Sequence, residues 1–407
     1  MSGRWHVRAR FRRAGTVVAS GLVGLAAGSV LTLALQGTAA TPEPAGPPSP
    51  RPVLAVPERP DTFLAWTPGG LPPGFAERVG SLPGTKDLVV VASDNAWLTR
   101  SSDEDGEVVD EPPPTFAIPL EVAAVDPRAY APFLPPAERG VVPALLSGSG
   151  ALGESSARLR GLGPGAVLRF GQVRVQIAAV LPDELVGAHE LLVSRAVGRA
   201  IGVTRDRYAL LVPEGEPTRR QLARDLRGVL PAGTLVRVRA PGDTPYFRQG
   251  DAVLPPVRIK ELFGEFAAKP RPGAPGYLTL DPIWVRTHIA TRRVPLLGRV
   301  TCNVVLFPQI RGAIDGLIEL GLARTIHSYS GCFAPRHINR VPSAGISHHA
   351  WGIALDINVP RNPFGAPPDQ DPRMVEVFER WGFIWGGRFI LPDGMHFEYR
   401  RPPAPGA

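Results

Sequence analysis

The chain has 407 residues, with 45 Lys and Arg against 37 Asp and Glu, for a formal net charge of +8; the length suits two folded units. Five of the positive charges, Arg4, Arg8, Arg10, Arg12 and Arg13, precede the first acid, Glu43; without them 40 basic residues face 37 acidic ones, and no later basic stripe follows. A nucleic-acid partner is therefore not expected.

The basic tail, residues 1–13, runs into an uncharged stretch from Ala14 to Gln36. A spanning helix needs about 20 apolar residues, whereas the apolar region of a cleavable signal is about 7–15 long. The length points to a retained membrane anchor over 14–36 with its basic side in the cytoplasm. The Thr38-Ala39-Ala40 triplet leaves cleavage open as the alternative. Either way, everything beyond residue 40 is expected outside the cytoplasm. Residues 41–60 are dense in proline and read as an extended spacer.

From 61 to 266 the signals are short strands with one clear helix. Val173, Val175 and Ile177 alternate with Arg174 and Gln176, the period of a half-buried strand. "DLVVVAS", "YALLVP" and "TLVRVRA" look alike in this respect. "PTRRQLARDLRGVLP" fits a helix capped by Thr218, with Leu222, Leu226, Val229 and Leu230 on one side. Two motifs here are decoys. "GSGALG" (Gly148, Gly150, Gly153) has the dinucleotide fingerprint but lacks the long helix that such a site needs, and reads as a tight turn. "AHELLVS" begins like a zinc-peptidase helix, yet Val193 stands where the second histidine belongs. The run from "VDPRAYAPFLPPAERG" through "FGQVRVQIAAVLP" resembles the extracellular core domain of FtsX-like or MacB-like permeases. That resemblance implies a separate α+β extracytoplasmic domain and leaves open a membrane-protein partner, wall binding or positioning of the rest of the chain.

The Pro/Gly segment 267–276 marks the expected boundary to a last domain, 277–401. There "FPQIRGAIDGLIELG" places Ile310, Ile314, Leu317 and Ile318 at helical spacing with Gly321 as C-cap, and "DPRMVEVFERWG" reads as a second helix. "IHSYS", "GIALDIN" and "GMHFEY" read as strands. The two cysteines of the chain, Cys302 and Cys332, both fall here, and an oxidising compartment permits their disulfide.

Five of the eight histidines fall between residues 327 and 396: His327, His337, His348, His349 and His396. If "GIALDIN" is a strand, Gly352, Ala354 and Asp356 share one face, and a carboxylate among small apolar residues needs a partner. On "GMHFE", His396 and Glu398 share a face. Were the two strands neighbours, Asp356 and His396 would converge, and His348 or His349 would complete a His₂Asp set. Such a set suits zinc, with a fourth position left open. Glu398 is either an orienting partner of His396 or a surface acid. Ser347 either bonds near the site or begins the turn. Trp351, Trp381 and Trp385 read as core, and Arg340 is a second-choice arginine.

The run Ser347-His348-His349-Ala350-Trp351-Gly352-Ile353-Ala354-Leu355-Asp356 resembles the S-x-H-x-x-G-x-A-x-D signature of the M15 zinc peptidases, the VanY-type D-alanyl-D-alanine carboxypeptidases and related L-Ala-D-Glu endopeptidases. "PDGMHFE" is similar to their second motif and "YSGCFAPR" to their upstream arginine motif. The resemblance implies a C-terminal zinc domain of the Hedgehog/D,D-peptidase type, with His349, Asp356 and His396 as Zn2+ ligands and His348 a bystander. It implies Asp393 as the general base toward the attacking water and Arg336 as the cation facing the substrate carbonyl. It further implies peptidoglycan stem peptides as substrates, with D,D-carboxypeptidase action first and L-Ala-D-Glu endopeptidase action second. A wall-binding or regulatory protein that no longer turns over is the reading from another class.

Overall fold

The computed structural model describes residues 62–243, 247–251 and 254–403. The basic tail, the expected membrane segment 14–36 and the proline spacer 41–60 lie outside them. Among the described residues no helix is long and apolar enough to cross a membrane. They all fall within one compact unit.

The architecture is mixed α+β and built around an eleven-stranded sheet. From one edge its strands run Arg237–Arg239, Phe63–Trp66, Asp206–Pro213, Thr85–Leu98, Ile118–Val125, Leu191–Ser194, Gly150–Gly153, Val173–Leu181, Val167–Phe170, Arg100–Ser102 and Val108–Asp110. Two pairings are parallel, Ile118–Val125 with Leu191–Ser194 and Gly150–Gly153 with Val173–Leu181. The alternation predicted for Val173–Leu181 holds, with Val175 and Ile177 buried and Arg174 and Gln176 exposed. The helix Arg219–Val229 forms as expected, and Thr218 and Gln221 make a reciprocal capping box.

The "GSGALG" turn expectation is corrected. Gly150–Gly153 is a fully buried strand followed by a seven-residue helix, Glu154–Arg160. A Cβ at Gly150 would lie 2.9 Å from Leu191 Cδ1, and one at Gly153 2.7 Å from His189 O. These glycines let neighbouring backbone approach. "AHELLVS" is likewise no zinc helix: Leu191–Ser194 is a strand, and Glu190 is held by Arg160 and Lys260.

The Pro/Gly segment 267–276 carries a strand, Ala268–Pro270, that pairs with Leu278–Leu280, while Ala268 also bridges to Ala117. Before it, the helix Pro256–Phe263 faces two ways. Ile259 and Phe263, with Phe266 just beyond, join the C-terminal core beside Trp284, Phe307 and Trp351. Lys260 points back to the large sheet, where its ammonium donates to both Glu190 oxygens at 2.8 Å.

The C-terminal part holds a four-stranded antiparallel sheet in the order Tyr329–Gly331, Ala354–Ile357, His396–Tyr399, Phe383–Trp385. The two predicted helices, Phe307–Glu319 and Pro372–Arg380, cover it. The first buries Ile310, Ala313, Ile314 and Leu317, whereas Ile318, expected on the same stripe, is 45% exposed. At 100° per residue Ile318 has already rotated past the seam that Leu317 closes. Cys302 and Cys332 are disulfide-bonded.

Candidate metal centre and active site

The signature run folds as turn, then strand. Ser347 caps a single 3-10 turn, His348–Ala350, its Oγ accepting from His349 N; it begins the turn, one of its two sequence readings. Gly352 then takes φ 67, and a Cβ there would lie 2.8 Å from Asn303 N. Both the left-handed backbone and the close approach require glycine. Gly352 therefore belongs to the turn, and the strand face that carries Asp356 starts only at Ala354.

The strands Ala354–Ile357 and His396–Tyr399 are neighbours, in a register that sets Asp356 opposite His396 and Ala354 opposite Glu398. Asp356 Oδ1 lies 3.4 Å from His396 Nδ1 and 3.3 Å from His349 Nε2. One ligand atom from each of the three residues lies within 4.8 Å of the other two. Both imidazoles are buried, His349 to 2% and His396 to 8% exposure.

Each imidazole is oriented by its other nitrogen. His349 Nδ1 is 2.8 Å from Cys332 O; a carbonyl only accepts, so Nδ1 carries the proton and Nε2 turns its lone pair into the site. Among the described residues that buried Nε2 has no hydrogen-bond partner. His396 Nε2 is 2.9 Å from Glu398 Oε2, which leaves Nδ1 facing Asp356. Two lone pairs and a carboxylate thus converge on one point, the donor set of a borderline divalent cation such as zinc.

Charge is heavily concentrated here. Burial opposes ionisation of Asp356, but the adjacent imidazoles of His349 and His396 hold it far below the usual carboxylate range. Burial likewise opposes a charged His396, yet Asp356 and Glu398 raise its pKa to about 10. Glu398 is pushed up by burial and pulled well below its ordinary value by His348 and His396. The His396 ring stands between the two carboxylates, Nδ1 toward Asp356 and Nε2 toward Glu398, and either a proton or a divalent cation on its Nδ1 side would offset the Asp356 charge.

Asp393 and Arg336 flank the cluster. Asp393 is fixed by backbone: its N donates to Gly386 O at 2.9 Å and its O accepts from His396 N at 3.1 Å. One carboxylate oxygen, Oδ1, is buried without a hydrogen-bond partner among the described residues. Burial raises the Asp393 pKa and Asp356 adds to this, while His396, His349 and Arg336 oppose it. Arg336 is carried by a segment that pairs with the histidine turn, Ser347 N to Arg336 O at 3.0 Å and Ala334 N to His349 O at 2.9 Å. Its charge reaches Asp393.

The other candidates sort cleanly. His327 is exposed and contacts Arg361; His337 is buried against Trp97 and Gly345. Arg340 bonds the Tyr277 hydroxyl at 2.9 Å. Trp351 is core, packed on Phe266. His348 stays outside the cluster of candidate metal ligands, and its Nδ1 lies 2.7 Å from Glu398 Oε2, beside the acid that faces His396. Three positions had escaped notice. Gly386 backs onto Asp393, where a Cβ would meet Asp393 O at 2.7 Å; the "WGG" run was the available signal. Gln370 donates to Ile357 O at 2.9 Å and Gly394 O at 3.0 Å, tying together the backbones beside Asp356 and Asp393. Tyr329 lies close enough for the Asp356 charge to add to burial in raising its phenol pKa.

Residues 341–399 match the family described as D-alanyl-D-alanine carboxypeptidase. The matched span includes His349, Asp356, Asp393 and His396, and Arg336 lies just before it. Two solved structures align with part of this chain. One is the periplasmic region of MacB from Actinobacillus actinomycetemcomitans, 10% identical over 44% of this chain and 88% of that one, with a TM-score of 0.31. The other is a domain of a permease protein from Porphyromonas gingivalis, 15% identical over 45% and 89% of the two chains, with a TM-score of 0.29. No curated protein matches the chain.

Proposed function

We propose that this chain is a zinc-dependent peptidase that hydrolyses peptidoglycan stem peptides outside the cytoplasm, acting as a D-alanyl-D-alanine carboxypeptidase. One observation carries the reading: His349 Nε2, Asp356 and His396 Nδ1 converge within 4.8 Å beside an unpartnered oxygen of Asp393. The family match over 341–399 supports the reaction class.

His349, Asp356 and His396 would hold the metal. When bound, zinc supplies Lewis acidity at the scissile carbonyl and makes water more acidic. Asp393 accepts the proton of the attacking water, a role that its raised pKa suits. It then returns that proton to the leaving amine. Arg336 sets positive charge opposite the oxyanion that develops on the carbonyl. Glu398 and Cys332 O keep the two imidazoles in the tautomers that present lone pairs.

The test is digestion of defined muropeptides by the purified protein, with and without chelator, read by mass spectrometry. Release of D-alanine from a pentapeptide, lost on chelation and restored by zinc, is expected. Cleavage between L-Ala and D-Glu instead would assign the endopeptidase activity, and cleavage of neither bond by zinc-loaded protein sinks the enzyme reading.

A further inference from the structure

A cavity of about 770 Å³ opens between the edge of the large sheet and the Phe383–Trp385 edge of the small one. Its volume is that of a site for a ligand of several residues. Six arginines and three carboxylates line it. Three of the arginines are neutralised in pairs, Arg219 with Asp243, Arg237 with Asp251 and Arg388 with Glu379. The other three are not. Among the described residues Arg239 donates to the carbonyls of Arg248 and Gly250 and to no carboxylate. Arg400 and Arg401 are exposed, and neither has a carboxylate partner among the described residues. Burial holds the Arg239 pKa below its ordinary value, and the Asp251 and Asp243 charges, opposed by those of Arg248 and Arg237, do not restore it.

The cavity adjoins the metal centre. Ile384, in its wall, stands opposite Glu398 in the sheet register and so shares the face that carries His396. The Phe389 ring, also in the wall, lies 6.4 Å from the His396 ring, centroid to centroid. Beside it Ile390 N donates to Asp251 Oδ2 at 2.7 Å, which pins this wall to the large-sheet side.

We infer that this cavity is a second binding site, in which Arg239, Arg400 and Arg401 hold the carboxylates of the peptide whose scissile bond lies at the His349–Asp356–His396 centre. The inference rests on the peptidase reading. Guanidinium forks match carboxylates in two parallel hydrogen bonds. The large-sheet region thereby becomes part of substrate selection, since Arg239 comes from its edge strand.

The test uses the full chain. Binding is measured by titration calorimetry in an Asp393→Asn background, which stops turnover, with an acidic pentapeptide and with the same peptide amidated at its carboxylates. A double substitution, Arg400→Gln with Arg401→Gln, sits on exposed residues and spares the fold. It is expected to weaken the acidic peptide about tenfold or more, to leave the amidated peptide unchanged and to flatten the salt dependence. In the active protein the same pair should raise KM with kcat and zinc content retained. Equal binding of the two peptides, or no effect of the double substitution, overturns the proposal. So does arginine-dependent binding of a glycerol-phosphate oligomer by a protein that ignores the acidic peptide. If the zinc-loaded protein hydrolyses no peptide but still binds the acidic one through these arginines, the peptidase reading fails and the carboxylate site stands.

Discussion

Glu398 accepts a hydrogen bond from His396 at 2.9 Å, on the ring nitrogen opposite the one that faces Asp356. The acid thereby sets which nitrogen of His396 keeps its lone pair for the metal. Removing such an orienting partner typically costs about 10–100-fold in metal affinity. Glu398→Gln, which keeps the shape and loses the charge, is expected to weaken zinc binding within that range in a competition titration. His348→Ala should have a smaller effect in the same direction, and His349→Ala should abolish binding. Equal zinc affinity in Glu398→Gln and wild type would remove the acid from this role.

Asp393→Asn keeps the volume and removes the base. The expected loss is about 10²–10⁴-fold in kcat, the usual worth of a positioned general base, with zinc content unchanged. Steady-state kinetics alongside metal analysis checks both halves.

Gly386→Ala adds one methyl where Asp393 O stands 2.7 Å away. That carbonyl is backbone and cannot swing aside, so the loop from 386 to 393 must shift. Displacement of a reacting group by about 1 Å can cost 10²-fold. A fall in kcat together with a lower thermal midpoint is expected, and a fully active Gly386→Ala protein contradicts the packing described.

How much of this was legible in sequence can be judged residue by residue. Asp356 and His396 could be placed together because strand alternation and the family signature agree, and the observed register pairs them directly. The helices Arg219–Val229, Phe307–Glu319 and Pro372–Arg380 were legible from apolar spacing and caps. The large sheet was not. Its parallel pairings join segments far apart in the chain, and no local pattern encodes which strand lies beside which. Gly150 and Gly153 misled for the same reason: glycine serves turns and close packing equally, and only the neighbours Leu191 and His189 decide between them. Glu398 had two open readings because alternation gives a face but not what stands opposite it; His348 supplied the missing contact from a separate turn.

The Cys302–Cys332 bond closes a loop with a sequence separation of 30, and the Cys332 carbonyl accepts a hydrogen bond from His349 Nδ1. Cys302→Ser is expected to cost about 2–4 kcal/mol of stability through the unfolded chain. It should also loosen His349, so zinc affinity falls together with the melting temperature. Loss of stability alone would separate the bridge from the site.

Glu265 is held at a pKa of about 2, since the Arg160 and Lys260 charges overcome the effect of burial. A depressed carboxylate stabilises the fold above its unfolded pKa and loses that contribution as pH falls through the folded one. The melting temperature should therefore drop between about pH 4.5 and pH 2. Glu265→Gln should start lower at neutral pH and show a shallower drop.

The two-faced helix Pro256–Phe263 bears on how this polypeptide can be cut or recombined. A fragment begun at the Pro/Gly turn would lack Ile259, Phe263 and Phe266, a wall of the C-terminal core. A fragment ended there would keep Lys260 and Glu265 but expose that same apolar wall to water. The proline-rich seam looks like a place to divide the gene, yet neither product would be a closed molecule. An exchange of modules that preserved both halves would have to break the chain before residue 256 and carry the helix with the C-terminal part, leaving Glu190 to Arg160 alone.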